Sequence, residues 1–256
     1  KWVRAKMALL SGADLVLELP VAFSCASAEL FAYGAVRTLH HTGVVNFLSF
    51  GSEQGELGSL WRIASALYDE PAAYRELLKK YLSEGNSFAS AREKALTGYL
   101  RGLPENILSQ SNNILAIEYL KALKSLRSSI QPTTIKRQGS SYQETEIASS
   151  FSSATAIRSF LQSDGSTEHP LLSANLPETS LQLLKQCLEN GRGPVFPDAF
   201  EQTILYKIRT MDPQSLKQVP DVKEGLENRL AACAMKAGTL GELVNMVTTV
   251  RYPSVR

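Results

Sequence analysis

Two short apolar runs, each entered from a stretch with helical spacing, constrain this chain more than any other feature. Ala13 to Leu19 (ADLVLEL) stops at Pro20, and Val44 to Phe50 (VVNFLSF) stops at Gly51-Ser52-Glu53. Apolar runs of this length, with little alternation, read as strands buried on both faces. Residues 2–11 and 27–39, just before them, carry apolar side chains at helical intervals. Helix, strand, helix, strand in that order predicts βα units and a parallel sheet.

The pattern continues with helices. Residues 57–82 are rich in Leu, Ala, Tyr, Lys and Glu, and should form two helices broken near Asp69-Glu70-Pro71. A further helix is expected over 88–100. Residues 112–126 give the strongest helical signal, with Ile114, Ile117, Leu120 and Leu123 as a core stripe and Ser111 or Asn112 as cap. Gln131-Pro132 ends the next loop, and Thr133 to Lys136 reads as a strand. Residues 139–153 are Ser-rich and polar, which predicts a loop, and Ser153 then caps a helix to about Gln162. Ser163-Asp164-Gly165-Ser166 reads as a linker. Beyond it the strand signals fade, and 177–188, 198–211, 222–236 and 240–249 all read as helices. The expected organisation is an α/β, Rossmann-like domain over 1–165 and an all-helical domain over 166–256. With 256 residues, 44% of them hydrophobic, each has enough apolar side chains for its own core.

Charge and cysteine content exclude several classes. A net charge of +2 neither demands nor excludes a nucleic-acid partner. Cys25, Cys187 and Cys233 are far apart and show no Cys-x-x-Cys spacing, so a zinc site or disulfide framework is not expected and a reducing cytosol is the default. No stretch approaches the roughly 18 apolar residues of a membrane span, and no signal peptide is visible. The chain opens on Lys1 and enters a helix at once, and Arg251-Tyr252-Pro253 near its end does not read as a finished element, so it is expected to begin inside a longer protein.

Four places could carry chemistry, each with a plainer alternative. Gly51-Ser52-Glu53 follows a predicted parallel strand, where ligands of open α/β sheets bind and a glycine allows close approach; it could equally be a simple turn. Ser111-Asn112-Asn113 opens a helix whose free N–H groups attract anions, and an Asn side chain can read a base or ribose; capping alone would also explain it. Lys136-Arg137 ends a strand and could hold phosphates, or be a solvated pair. Ser152-Ser153-Ala154-Thr155-Ala156-Ile157-Arg158 places hydroxyls at a helix start with Arg158 a turn and a half on, an anion site or an ordinary cap. His40 and His41 are neighbours in sequence, do not share a helix face, and read as a surface helix end. His169 stands alone. Asp14 and Glu18 flank an apolar run without an assignable acid or base role. The helical region carries Lys185, Arg192, Lys207, Arg209, Lys217, Lys223, Arg229, Lys236, Arg251 and Arg256, which could track an RNA backbone. They are interleaved with acidic residues, so a solvated helix surface is the plainer reading.

Taken together, these segments resemble the bacterial tRNA(Met) cytidine acetate ligase family. The resemblance runs through Lys1 to Leu9, Gly12 to Pro20, Phe50 to Glu53, Asn112 to Tyr119, Thr134 to Arg137, Ser153 to Arg158, and Arg251-Tyr252-Pro253. It implies a nucleotidyltransferase of the His-x-x-His superfamily. Such an enzyme activates acetate with ATP to acetyl-adenylate and passes the acetyl group to N4 of the wobble cytidine of elongator tRNA(Met), giving N4-acetylcytidine. It implies an ATP site on Gly51, Asn112 or its neighbour Asn113, and Arg137, with Ser153, Thr155 and Arg158 as a second phosphate motif. It also implies a magnesium ion accompanying the nucleotide and a helical domain for tRNA. The family's opening Gly-Asn-Pro-Phe-His-Asn-Gly-His type segment has no counterpart in this chain and would lie before Lys1, so the chain alone is expected to bind ATP poorly and not to catalyse. Another nucleotidyltransferase of the same superfamily, such as a cofactor adenylyltransferase, and a non-catalytic RNA-binding protein are the alternative readings.

Overall fold

The computed structural model describes residues 1–104, 107–138, 151–163, 166–249 and 252. The Ser-rich stretch at 139–150, Asp164-Gly165 of the expected linker, and Arg251 and Pro253 lie outside the described residues. In chain order the elements are α1 (Trp2–Leu10), α2 (Val21–Ser24), α3 (Ala28–Thr42), β1 (Phe47–Ser52), α4 (Leu57–Asp69), α5 (Ala72–Ser83), α6 (Phe88–Tyr99) and α7 (Ser111–Ser125). There follow β2 (Gln131–Lys136), α8 (Ala154–Ser163), α9 (Pro170–Asn175), α10 (Glu178–Glu189), a 3-10 turn (Pro197–Phe200), α11 (Glu201–Thr210), α12 (Pro213–Leu216), α13 (Leu226–Ala234) and α14 (Leu240–Val247). They fall into two compact units, residues 17–157 and residues 1–16 with 158–256. The division cuts α8 between Ile157 and Arg158, and it places α1 in the helical unit, where α1 packs on α10.

In the 17–157 unit β1 and β2 pair in parallel, from Phe47 opposite Gln131 to Ser52 opposite Lys136. Pro132 lies inside β2, where a loop end was expected. The backbone N–H groups of Gln131 and Arg137 donate to Asn46 and Ser52 on the β1 side. With a strand period of two, Pro132 therefore faces its absent N–H away from β1, where no ladder bond is lost. Helices α3 and α4 pack on α7, which also touches β1. Leu60, Ile63, Leu96, Ile117 and Leu120 are among the side chains buried in this core, each contributing about 1.5–3 kcal/mol by burial. Glu56 caps α4 by accepting from the Gly58 and Ser59 N–H groups.

Ala13 to Leu19 forms no strand, contrary to the reading of its apolar run. Leu15 is 69% exposed, and Val16 and Leu17 are exposed as well. A strand exists through its ladder to a neighbour, and the paired strands among the described residues are β1 and β2. The division between the units also falls inside this run, between Val16 and Leu17.

The other unit has helices and no strand among its described residues. Leu205, Ala234, Ala237, Leu243 and Val247 from α11, α13 and α14 make its core. Two cations that could have tracked RNA are engaged by backbone carbonyls at helix ends. Arg209 donates to the Ala234 and Ala237 carbonyls at 2.8 and 2.6 Å, and Arg229 donates to the Met246 and Val247 carbonyls. Carbonyls at a helix C-terminus have no intrahelical donor and carry negative potential, which a guanidinium satisfies. Lys185 pairs with Glu168 at 2.6 Å.

Candidate functional site

The carboxyl ends of β1 and β2 lie side by side because the strands are parallel. Ser52 ends β1, fully buried, and anchors the turn after it. Its Oγ lies 2.7 Å from Thr134 Oγ1 and accepts the Gly55 N–H at 2.9 Å. Thr134 in turn donates to the Phe50 carbonyl at 3.2 Å, so the hydroxyls form one chain across the two strands. Gly55 has a φ of +68°, and a Cβ there would come within 2.4 Å of Lys136 Cβ, so the turn requires glycine.

Gly51 faces β2 differently. A Cβ at Gly51 would stand 3.2 Å from Arg137 Cγ. The bare glycine gives room to the stem of Arg137, an exposed residue. The Arg137 N–H donates to the Ser52 carbonyl at 2.9 Å, which ties it to the end of β1. A phosphate-matching fork and an unencumbered backbone thus meet at the sheet's carboxyl edge, where α/β folds place ligands.

Glu53 extends this edge to α7. Its Oε1 accepts from the Asn112 backbone N–H at 3.1 Å and from Asn112 Nδ2 at 2.6 Å. Its Oε2 accepts from the Asn113 N–H at 2.8 Å. Burial works to raise the Glu53 pKa, but these hydrogen bonds outweigh it and hold the carboxyl below its ordinary range. The capping position is Gln110, which makes no side-chain cap, and Ser111 and Asn112, expected as caps, lie inside the helix. The Asn112 and Asn113 N–H groups of this helix start are taken by a carboxylate 59 and 60 residues away in sequence. An incoming anion would meet a negative charge there.

The two neighbouring asparagines are in different states. Asn113 is fully buried; its Oδ1 accepts the Gln54 N–H at 3.0 Å and its Nδ2 donates to Gln110 Oε1 at 2.7 Å. Asn112 is half-buried and uses only its nitrogens. Gly51, Asn112, Asn113 and Arg137 are therefore brought to one edge. Ser153 and Thr155 stand at the start of α8, where the buried Ser153 accepts the Ala156 N–H at 3.0 Å as a cap and Thr155 is half-buried. Arg158 is exposed and belongs to the other compact unit. His40 contacts Ser128 Oγ at 3.0 Å, and His41 the Arg37 carbonyl. Among the described residues no three His, Cys, Asp or Glu side chains converge as a metal site would require.

Over residues 1–256 the sequence matches the model of the HIGH Nucleotidyl Transferase family. This chain belongs to the HIGH nucleotidyl transferase family. The nucleotidyl transferase architecture expected from the sequence, a parallel sheet with a helical region after it, is the one observed. Among relatives of this HIGH nucleotidyl transferase, the tRNA(Met) cytidine acetate ligase of Acetivibrio thermocellus is 45% identical over 260 residues, and that of Alkaliphilus metalliredigens is 42% identical over 267. Each alignment takes in 100% of this chain and 62% of the relative, so the chain spans less than two thirds of their length. The crystal structure of Thermotoga maritima TmcAL in its apo form I is similar with a TM-score of 0.90 at 36% identity, covering 98% of this chain and 60% of that one. Form II of the same protein, bound with alpha-thio ATP, gives 0.85 at 36% identity, covering 98% and 59%. No helix among the described residues is long and apolar enough to cross a membrane.

Proposed function

We propose that this HIGH nucleotidyl transferase chain is the nucleotide-handling part of a tRNA(Met) cytidine acetate ligase. The observation that carries this is the convergence of Gly51, Asn112 and Arg137 at the carboxyl edge of β1 and β2. Relatives of that name, at 42–45% identity, and a similar structure bound with alpha-thio ATP support it. ATP and acetate are the first substrates. An acetate oxygen attacks the α-phosphorus, the bond to the bridging oxygen breaks, and acetyl-adenylate and pyrophosphate form. The N4 amine of the wobble cytidine of elongator tRNA(Met) then attacks the acetyl carbonyl, loses a proton, and AMP leaves.

Such chemistry needs positioning and charge neutralisation more than a nucleophile. Arg137 supplies a fixed positive charge for phosphate oxygens, and Gly51 leaves its backbone open to them. Ser153, which caps α8, and Thr155 and Arg158 on it are assigned to further phosphate contacts. The residues described offer no cradle for a magnesium ion, because Glu53 is already filled by N–H donors. The ion would be held by phosphate oxygens and water, and no step is assigned to it. The 1–165 region is assigned to the nucleotide and the 166–256 helical region to tRNA. The working location is the cytoplasm, where tRNA and ATP are found together.

The test is turnover by the full-length protein. AMP release that depends on both acetate and tRNA(Met) is expected. Absence of acetyl-adenylate with ATP, magnesium and acetate would exclude this function.

A further inference from the structure

We propose that Glu53 is a positioning residue for nucleoside recognition: it fixes the Asn112 amide with Nδ2 inward and Oδ1 outward, making Asn112 an acceptor for an N–H or O–H donor of the bound nucleoside. This rests on the reading that the site takes ATP. A side-chain amide can ordinarily present either end, because its oxygen and nitrogen are nearly the same shape. An ionised carboxylate only accepts, so Glu53 Oε1, 2.6 Å from Asn112 Nδ2, permits one orientation. Oδ1 then sits at the opposite corner of the amide, and among the described residues it has no partner.

The carboxylate is itself held still. Its Oε2 is tied to the Asn113 N–H at 2.8 Å. The residue before it, Ser52, is buried in the hydroxyl chain to Thr134, and the residue after it, Gln54, donates its N–H to the buried Asn113. Both flanks of Glu53 are therefore fastened, one to β2 and one to α7. The charge of Glu53 also decides what Asn112 can meet. A phosphate oxygen would face an acceptor at Oδ1 and a carboxylate behind it, whereas Arg137 offers it a cation. The group facing Asn112 must be a donor, and the nucleoside has two kinds, the exocyclic amine of the base and the ribose hydroxyls.

The experiment measures binding of ATP, ITP, 2′-deoxyATP and 3′-deoxyATP to the full-length protein by calorimetry. The variants are Glu53→Gln, Asn112→Ala and the double variant. Glu53→Gln offers one acceptor and one donor, so the Asn112 amide can turn over. A fall of about tenfold, the scale of 1.4 kcal/mol, is expected in the preference for ATP over one analogue. Loss of the ATP-to-ITP preference identifies the base amine, and loss of the preference over a deoxy analogue identifies a hydroxyl. In the Asn112→Ala background the Glu53→Gln change should no longer alter that preference, an outcome a purely structural role would not give. Should Glu53→Gln fail to fold, loss of the same preference in Asn112→Ala carries the test, and an unchanged preference there overturns the proposal. Wild-type binding of ATP with preferences untouched by Glu53→Gln overturns this inference alone; no binding of ATP by the wild type overturns the site reading with it.

Discussion

Replacing Asn113 with alanine should unfold the 17–157 unit more readily, while the same change at Asn112 should barely affect stability. The two residues are adjacent and chemically identical, and their surroundings set them apart. Asn113 has no exposed surface, and its amide joins the Gln54 N–H at 3.0 Å to Gln110 Oε1 at 2.7 Å. Truncation strands the N–H that Asn113 Oδ1 receives, and a buried polar group left unpaired costs about 1–3 kcal/mol. At roughly 2–4 °C per kcal/mol for a domain near 150 residues, Tm should fall by about 2–12 °C. Asn112 is half-buried, and its loss leaves Glu53 two backbone donors, so the cost should stay below about 1 kcal/mol. Urea and thermal unfolding of both variants decide the matter. Equal stability of the two, or a larger loss at Asn112, would refute the assignment of Asn113 to the frame and Asn112 to the open edge.

Arg137→Ala should weaken ATP binding by roughly 1–3 kcal/mol, the scale of one charged hydrogen bond; titration calorimetry showing unchanged affinity would remove Arg137 from the site. Gly55→Ala forces a residue with a side chain to φ +68° and drives its Cβ toward Lys136, so a loss of at least about 1–3 kcal/mol should appear in denaturant melts. Lys121 donates to Glu118 at 2.8 Å and to Glu29 at 3.0 Å. Burial works to lower its pKa, but the two carboxylates outweigh it and raise the value. Its contribution is therefore complete below the unfolded lysine pKa of about 10.4 and is lost as pH rises through the folded value. Lys121→Met should flatten that alkaline loss in stability-versus-pH curves, and a wild-type slope in the variant would contradict the pairing.

The helices were legible because their cores are periodic. The break at Asp69-Glu70-Pro71, the stripe on α7 and the Ser153 cap all follow from neighbours within one or two turns. What local pattern could not supply was any feature made by distant partners. Ala13 to Leu19 has the composition of a strand, yet composition does not provide the neighbour a ladder needs. Pro132 looked like a loop end because its side of the strand is set by the register with β1. Arg209 and Arg229 looked available to RNA until helix ends from α13 and α14 were brought to them. At the candidate site, Gly51, Asn112 and Arg137 were found as isolated signals. Glu53 was only part of a turn motif, since its partners lie 59 and 60 residues onward. The one available hint was a lone carboxylate directly after a strand end.

That contact has a consequence for how this sequence can vary. Glu53 and Asn112 are the two ends of an excursion that holds α4, α5 and α6, and three hydrogen bonds close its neck. The spacing of Gly51 and Asn112 is therefore set at the neck and not by the path between. Lengthening a closed loop costs little, about 0.6 kcal/mol for each doubling. Insertions between α5 and α6, such as at the Glu84-Gly85-Asn86 turn, could thus accumulate without moving the edge proposed for the nucleotide.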